Sequence, residues 1–221
     1  MDELLTAISS HSTNRVIKKG AAVLYQSEIP RNAFIIRKGL IRAYTITSTG
    51  EERIIALHAK NDIFPLSWIY NETASTLFYY EAVTDCEVSC VSKEILVETI
   101  AKTPELMQLM LRFSINKYTA LLLRIAALQQ STAAERIAMT LYYLLILHGV
   151  ERKPGEFTIT LKMTQSTIAS LVGLTRESTA VNLKLLQRKE IISYSNFIYV
   201  VNKPKLERFI GDTSFRSVTL D

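Results

Sequence analysis

Up to about residue 100 the apolar positions fall in short runs with a period of two. "AVLYQ", "AFIIRKGLIRAYTIT" and "EERIIALHA" are rich in Val, Ile, Tyr and Thr and are bounded by turn residues, which predicts strands. Lys38-Gly39 and Thr49-Gly50 stand where hairpins would turn. In "EAVTDCEVSCV", Val83, Asp85 and Glu87 alternate with Thr84, Cys86 and Val88, which predicts one further strand. Short antiparallel strands at this spacing predict a barrel or roll.

The period then changes from two to that of a helix. Ser92 is placed to cap "KEILVETIAK", and Thr103-Pro104 combines a cap with proline at the first helical position. No glycine or proline interrupts the chain from there to about Leu128. Leu106, Met110, Phe113, Lys117, Leu121, Arg124 and Leu128 step by three and four along one stripe, with more apolar residues around them. A long helix that is apolar on more than one side needs two surfaces to cover it. One surface is the β domain, and the other is the same helix of a second subunit. The expected dimer contacts are Met110, Phe113, Lys117, Leu121, Arg124 and Leu128. Burial within a single subunit is the alternative.

Thr132 to Glu135 form a capping box that starts "AAERIAMTLYYLLILHG", which ends at Gly149. A fresh cap so soon after the long helix predicts a hinge near 129–132. "VERKPGEF" reads as a polar loop. Thr164 then caps "QSTIASLV", Gly173 stops it, and Thr175 caps a second helix from Arg176 to about Lys189. That is the spacing of a helix-turn-helix. At roughly 100° per residue, Thr179, Asn182, Leu183 and Leu186 gather on one side of the second helix. Glu177, Val181, Lys184 and Arg188 gather on the other. "IISYSNFIYVV" follows as two short β runs turning at Ser195-Asn196, a wing placed to touch a sugar-phosphate backbone. The expected class is therefore α+β: an antiparallel β-roll over 1–103, a long dimerisation helix over 104–130 and a winged helix-turn-helix over 131–221.

Charge sharpens this picture. Residues 151–221 carry 11 Lys/Arg against 7 Asp/Glu, and the preceding residues 15 against 14, so most of the net +5 lies in the C-terminal third. That points to an anionic partner. Hydrophobic residues at 48% and charged residues at 21% are ordinary for a folded soluble chain. "MDELLTAISS" does not read as a targeting segment, and "TLYYLLILHG" is too short to span a bilayer, so the cytoplasm is expected and a membrane is not. Cys86 and Cys90 read as small hydrophobes on one face of a strand, since zinc usually takes four ligands.

The layout resembles the cyclic-AMP receptor protein/fumarate-nitrate regulator (CRP/FNR) family of bacterial transcription factors. The segments that carry the likeness are "FIIRKGLIRAY…TGEERII", the long helix, "AERIA", "TQSTIASLVGLTRESTAVNLKLL" and the closing wing. The resemblance implies a cyclic-nucleotide-binding-like β-roll and a homodimer that reads a palindromic double-stranded DNA site. It also implies transcription regulation, with RNA polymerase as a further partner. Arg176 and Glu177 fall on the family's base-reading positions; arginine suits guanine O6/N7 and glutamate accepts from cytosine N4. Ser178 and Lys184 are candidate phosphate contacts, as are Thr164 and Gln165 at the start of the preceding helix. Thr175 opens the reading helix. Val181 stands where many members have a second base-contacting arginine; it can touch a thymine methyl but cannot donate to guanine.

In the cyclic-nucleotide binders of the family, a glycine-glutamate pair and later an arginine-serine pair hold the ribose and phosphate. Here Leu66 falls near the glutamate position and Thr76-Leu77 near arginine-serine, and no Arg or Lys occurs from Asn61 to Ala82. A buried phosphate without a cation would be badly desolvated. Leu121 and Leu122 replace the hydroxyls that would meet a purine. These residues argue against a cyclic nucleotide, two cysteines argue against an iron-sulfur cluster, and the settings of His11, His58 and His148 argue against haem. His58 reads as a satisfied or exposed surface residue. No cofactor is expected. Phe64, Trp68, Phe78 and Tyr80, with Leu121 and Leu122, form a candidate pocket for an apolar effector, set against the reading of an ordinary core. Two rival functions remain: a ligand sensor acting through protein contacts with a degenerate helix-turn-helix, and an enzyme. For the enzyme, no nucleophile-base set, metal cluster or phosphate-cradling glycine loop is found.

Overall fold

The computed structural model describes residues 1–211; residues 212–221 of the expected C-terminal domain lie outside the described residues. A short helix α1 (Asp2–Ala7) leads into strands β1 (Thr13–Ile17), β2 (Ala22–Leu24), β3 (Ala33–Lys38), β4 (Ile41–Ile46), β5 (Glu52–His58) and β6 (Ile63–Phe64). One turn of helix, α2 (Leu66–Ile69), precedes β7 (Tyr79–Ala82) and β8 (Cys86–Val91). These strands form two four-stranded antiparallel sheets, ordered β1-β8-β3-β6 and β2-β7-β4-β5.

Both sheets contribute to one core. Phe34, Ile36, Phe64, Cys86, Val88 and Cys90 meet Leu24, Ile41, Ala43 and Tyr80. The two-residue period of β3 sends Ala33 and Ile35 the other way, into a second cluster with Leu4, Ile8, Trp68 and Leu96. Both cysteines are free and buried. One of the two expected hairpin turns changes. Thr49-Gly50 does join a paired hairpin, β4 with β5. Lys38-Gly39 instead carries the chain from one sheet to the other, with Gly39 at φ +97 and its Cα so close to Asp85 O that a Cβ would lie 2.5 Å away. "EAVTDCEVSCV" is likewise two strands in different sheets, bent at 83–85.

Helix α3 (Lys93–Lys102) starts where Ser92 accepts from the amide of Ile95, and α4 runs from Pro104 to Leu128. Leu106 and Met110 of α4 join the second core cluster, and Phe113 packs at its margin. That burial accounts for the division of the chain into two compact units between Phe113 and Ser114, inside α4.

The expected dimer stripe needs correction. Met110 and Arg124 are buried within their own chain, Phe113 and Lys117 are half-buried, and only Leu121 and Leu128 are exposed. The apolar side chains that α4 leaves open are Met107, Leu111, Ile115, Tyr118, Leu121, Leu122, Ile125 and Leu128. Both faces of α4 are apolar, so hydropathy alone did not set the rotation. The expected stripe straddles the edge between them.

After the Thr132–Glu135 capping box, α5 (Ala133–His148) is buried along most of its length. "VERKPGEF" is not a loop: it forms β9 (Gly149–Lys153) and β10 (Glu156–Ile159), turning at Pro154-Gly155. These strands extend the wing into a four-stranded sheet, β11-β12-β10-β9, with β11 (Ile192–Ser195) and β12 (Ile198–Asn202). Polar side chains hid the hairpin, which is held by its ladder to β12. Helices α6 (Gln165–Val172), α7 (Arg176–Arg188) and α8 (Lys203–Ile210) complete the described chain.

Candidate nucleic-acid interface

The break at Gly173 is a left-handed helix stop, φ +68 and ψ +34. Glycine takes that conformation without a Cβ penalty, and the cap of the next helix follows two residues later. Each helix has its own hydroxyl cap. Thr164 Oγ1 accepts from the amide of Thr167 at 3.0 Å, and Thr175 Oγ1 from that of Ser178 at 3.1 Å. Caps of this kind are worth about 1 kcal/mol each. Thr164 Oγ1 also shares a hydrogen bond with Thr167 Oγ1 at 2.9 Å. The two threonines thus serve their own helices first, whatever else they touch.

Ile168, Ala169, Leu171 and Val172 bury the inner face of α6; Thr179, Leu183 and Leu186 bury that of α7. Thr179 Oγ1 is satisfied within the helix by Thr175 O at 2.9 Å. The opposite side of α7 is open. Arg176, Glu177, Lys184 and Arg188 are exposed there, and Val181 keeps 68% of its surface accessible. Ser178 is half-buried near the N-terminal end, and Gln165 half-buried at the start of α6. An exposed valine among charged neighbours contributes little to folding. A face of this kind fits a major groove, which offers acceptors, donors and methyl groups together.

Arg124, expected at a dimer contact, faces this motif instead. Its Nη2 donates to the carbonyl oxygen of Leu171 at 3.1 Å, near the end of α6. Burial pushes the guanidinium below its ordinary value, with Tyr143 opposing. The wing sheet was only partly foreseen. The turn between β11 and β12 uses Asn196 and Phe197, both at positive φ, and not Ser195-Asn196. Beneath it Tyr199 is fully buried against Tyr194, ring centroids 4.5 Å apart, and burial raises its phenol strongly.

Within the roll, the candidate effector residues fall in two separate clusters. Phe64 and Tyr80 stack at 4.9 Å inside the roll, with Phe34 stacked on Phe64 at 5.3 Å; Phe78 packs at the margin of that core. Trp68 belongs to the other cluster, while Leu121 and Leu122 are exposed on α4. Phe64, Trp68 and Tyr80 are buried in these clusters, while Tyr70 is exposed. His58 is half-buried: its ring stacks on Phe64 at 5.4 Å, and its Nδ1, without a hydrogen bond, lies 3.6 Å from Asp62 Oδ2. Thr76, at the position where the cyclic-phosphate arginine-serine pair would fall, is buried and donates to the carbonyl oxygen of Tyr25 at 2.5 Å. Among the described residues no three His, Cys, Asp or Glu side chains gather as a metal site, and no helix is long and apolar enough to cross a membrane.

Comparison with known proteins agrees with this architecture along most of the chain. Residues 14–103 match the model of the cyclic nucleotide-binding domain, and residues 135–209 that of the Crp-like helix-turn-helix domain. The fumarate and nitrate reduction regulatory protein of Vibrio cholerae is 30% identical over 197 residues, covering 88% of this chain and 77% of that protein. Electron transport regulator A of Shewanella oneidensis is 27% identical over 198 residues, covering 89% and 78%. The structure of FixK2 from Bradyrhizobium japonicum superposes with a TM-score of 0.75 at 22% identity, covering 89% of this chain and 96% of that one. A CooA mutant from Carboxydothermus hydrogenoformans reaches a TM-score of 0.77 at 21% identity, covering 94% of each. Exposed reading face, capped tandem helices, roll and relatives converge, and the chain belongs to the CRP/FNR family of DNA-binding transcription regulators.

Proposed function

We propose that this regulator binds a palindromic DNA site as a homodimer, through the exposed face of α7. Arg176 donates to a guanine, Glu177 accepts from a cytosine, and Val181 packs on a thymine methyl. Ser178, Lys184, Thr164 and Gln165 hold phosphates on either side, with Thr175 setting the first turn of α7. The observation that carries this reading is the division of α7: Thr179, Leu183 and Leu186 are buried, while Arg176, Glu177, Val181 and Lys184 are open. Charged residues need no particular arrangement to be solvated, but an exposed valine set between them suits a base edge.

The second subunit docks on the open apolar face of α4, where Leu111, Ile115, Tyr118, Leu122 and Ile125 step by four or three. Tyr118 is 62% and Leu111 59% accessible in the single chain, a large apolar exposure for a lone helix. A two-fold dimer fits half-sites about one helical turn, or 10 base pairs, apart. The protein acts in the cytoplasm, has RNA polymerase as a partner and is not an enzyme.

The roll does not take a cyclic nucleotide in this reading. What supports it is Leu66 near the glutamate position, Thr76 engaged with main chain, and a segment from Asn61 to Ala82 without a cation. No haem or iron-sulfur cluster is proposed, and any effector of the roll stays unassigned. Duplex binding measured against salt, with competitor DNA present, tests the whole reading. Site-specific retention with a steep salt slope is expected. Weak binding that competitor removes would return the chain to a sensor working through protein contacts.

A further inference from the structure

The hairpin from β11 to β12 turns on two residues, Asn196 at φ +50 and Phe197 at φ +65, closed by Ser195 and Ile198. Turns of this kind favour asparagine first and glycine second. A phenylalanine at the second place holds its backbone where bulky side chains are disfavoured. The residue stays 53% accessible, so more than half of it lies outside the core. Glycine would relieve the backbone. The side chain therefore calls for an explanation outside the folding of the hairpin.

The position of the tip supplies one. Phe197 O accepts from the amide of Met163 at 2.8 Å. Met163 is fully buried and immediately precedes Thr164, the cap of α6. The wing tip is thus tied by its main chain to the end of α6 that a helix-turn-helix lays on the DNA backbone. In the same hairpin, Ser193, Ser195 and Asn196 are exposed and uncharged. The tip carries no cation; it presents an apolar ring among neutral polar groups. The apolar surface that DNA offers beside its phosphates is the C–H face of the deoxyribose, which walls the minor groove.

We propose that Phe197 is a DNA-contacting residue, its ring laid against the deoxyribose wall of the minor groove flanking the half-site read by α7. Since groove width follows sequence, the contact makes affinity depend on flanking base pairs that no side chain reads by hydrogen bonding. This rests on the DNA-binding reading of α7 and adds the wing to it.

The test compares the full-length protein with F197G and F197K on one selected duplex whose flanks are A-tract or G·C-rich. Affinity, salt slope and hydroxyl-radical footprint are measured. F197G is expected to bind about tenfold more weakly on the preferred flank. It should lose the flank preference and the sugar protections there. Its salt slope should be unchanged, because no charge is removed. F197G that matches the wild type in affinity, flank preference and footprint would overturn the proposal. So would F197K binding more tightly than the wild type, which would put the tip on phosphates. F197G that binds normally but fails in transcription would move the ring to a protein partner, and also overturns it. Failure of the wild type itself on every duplex would instead bring down the DNA reading beneath it.

Discussion

Arg124 and Leu171 join the long helix to the helix-turn-helix: Arg124 Nη2 donates to Leu171 O at 3.1 Å, with only 8% of the arginine accessible. A buried guanidinium at the C-terminal end of α6 meets carbonyl groups that α6 itself leaves without partners. The contact connects the helix proposed to dimerise with the helix-turn-helix. Arg124→Ala should destabilise the protein by about 1.5–3 kcal/mol, the range for a lost hydrogen bond to a charged group. It should also weaken DNA binding while Arg176 is intact. Chemical denaturation and duplex titration check the two effects; unchanged values in both would remove Arg124 as a positioning residue.

Arg176→Ala should leave thermal stability within error, since the side chain is exposed, and cost about 1–3 kcal/mol of binding to the preferred site. Discrimination at one base pair should relax. Val181→Arg should shift the preference toward guanine at the pair that valine faces. Competition titrations over single-base variants of the site give both answers.

The faces of α4 are separable. Leu122→Glu and Ile125→Glu place charges on the open face and should give a folded monomer by sedimentation. Met110→Ala, on the buried face, should cost about 2–4 kcal/mol of stability and leave the mass of the folded species unchanged. Wild-type mass in both glutamate variants would contradict the proposed interface.

Alkaline pH offers a probe of the roll core. Burial pushes the Tyr80 phenol from its ordinary 10.0 up to about 12. The folded state therefore holds this proton more tightly than the unfolded chain. The stability that goes with it is complete below pH 10.0 and is lost as pH rises toward about 12. Denaturation midpoints should fall over that window, and fall less in Tyr80→Phe.

Local chemistry carried much of the fold in the sequence. Ser92, Thr132, Thr164 and Thr175 each had a hydroxyl at a helix start, and Gly173 stood where only a left-handed residue fits; all act as expected. The outward side of α7 was also readable, because Val181 and Lys184 oppose Leu183 and Leu186 at helical spacing. What failed depended on distant partners. Met110 and Leu111 are equally apolar in sequence, and only the core around Leu4 and Trp68 decides which of them is buried. Gly149–Lys153 looked like a loop because its pairing partner is β10, itself held by β12 far along the chain. Trp68 and Phe64 are near neighbours in sequence, yet they fall in separate clusters. The turn at Asn196-Phe197 was not legible in the sequence because asparagine-phenylalanine is not the usual turn pair.

Selection of bound duplexes from a randomised pool, run in parallel for the wild type and Arg176→Ala, bears most directly on the face of α7. The account predicts an inverted repeat for the wild type, with a guanine fixed in each half-site and half-sites about 10 base pairs apart. That guanine should be lost in the variant. Identical enriched sequences from both proteins, or no repeat from either, would contradict it.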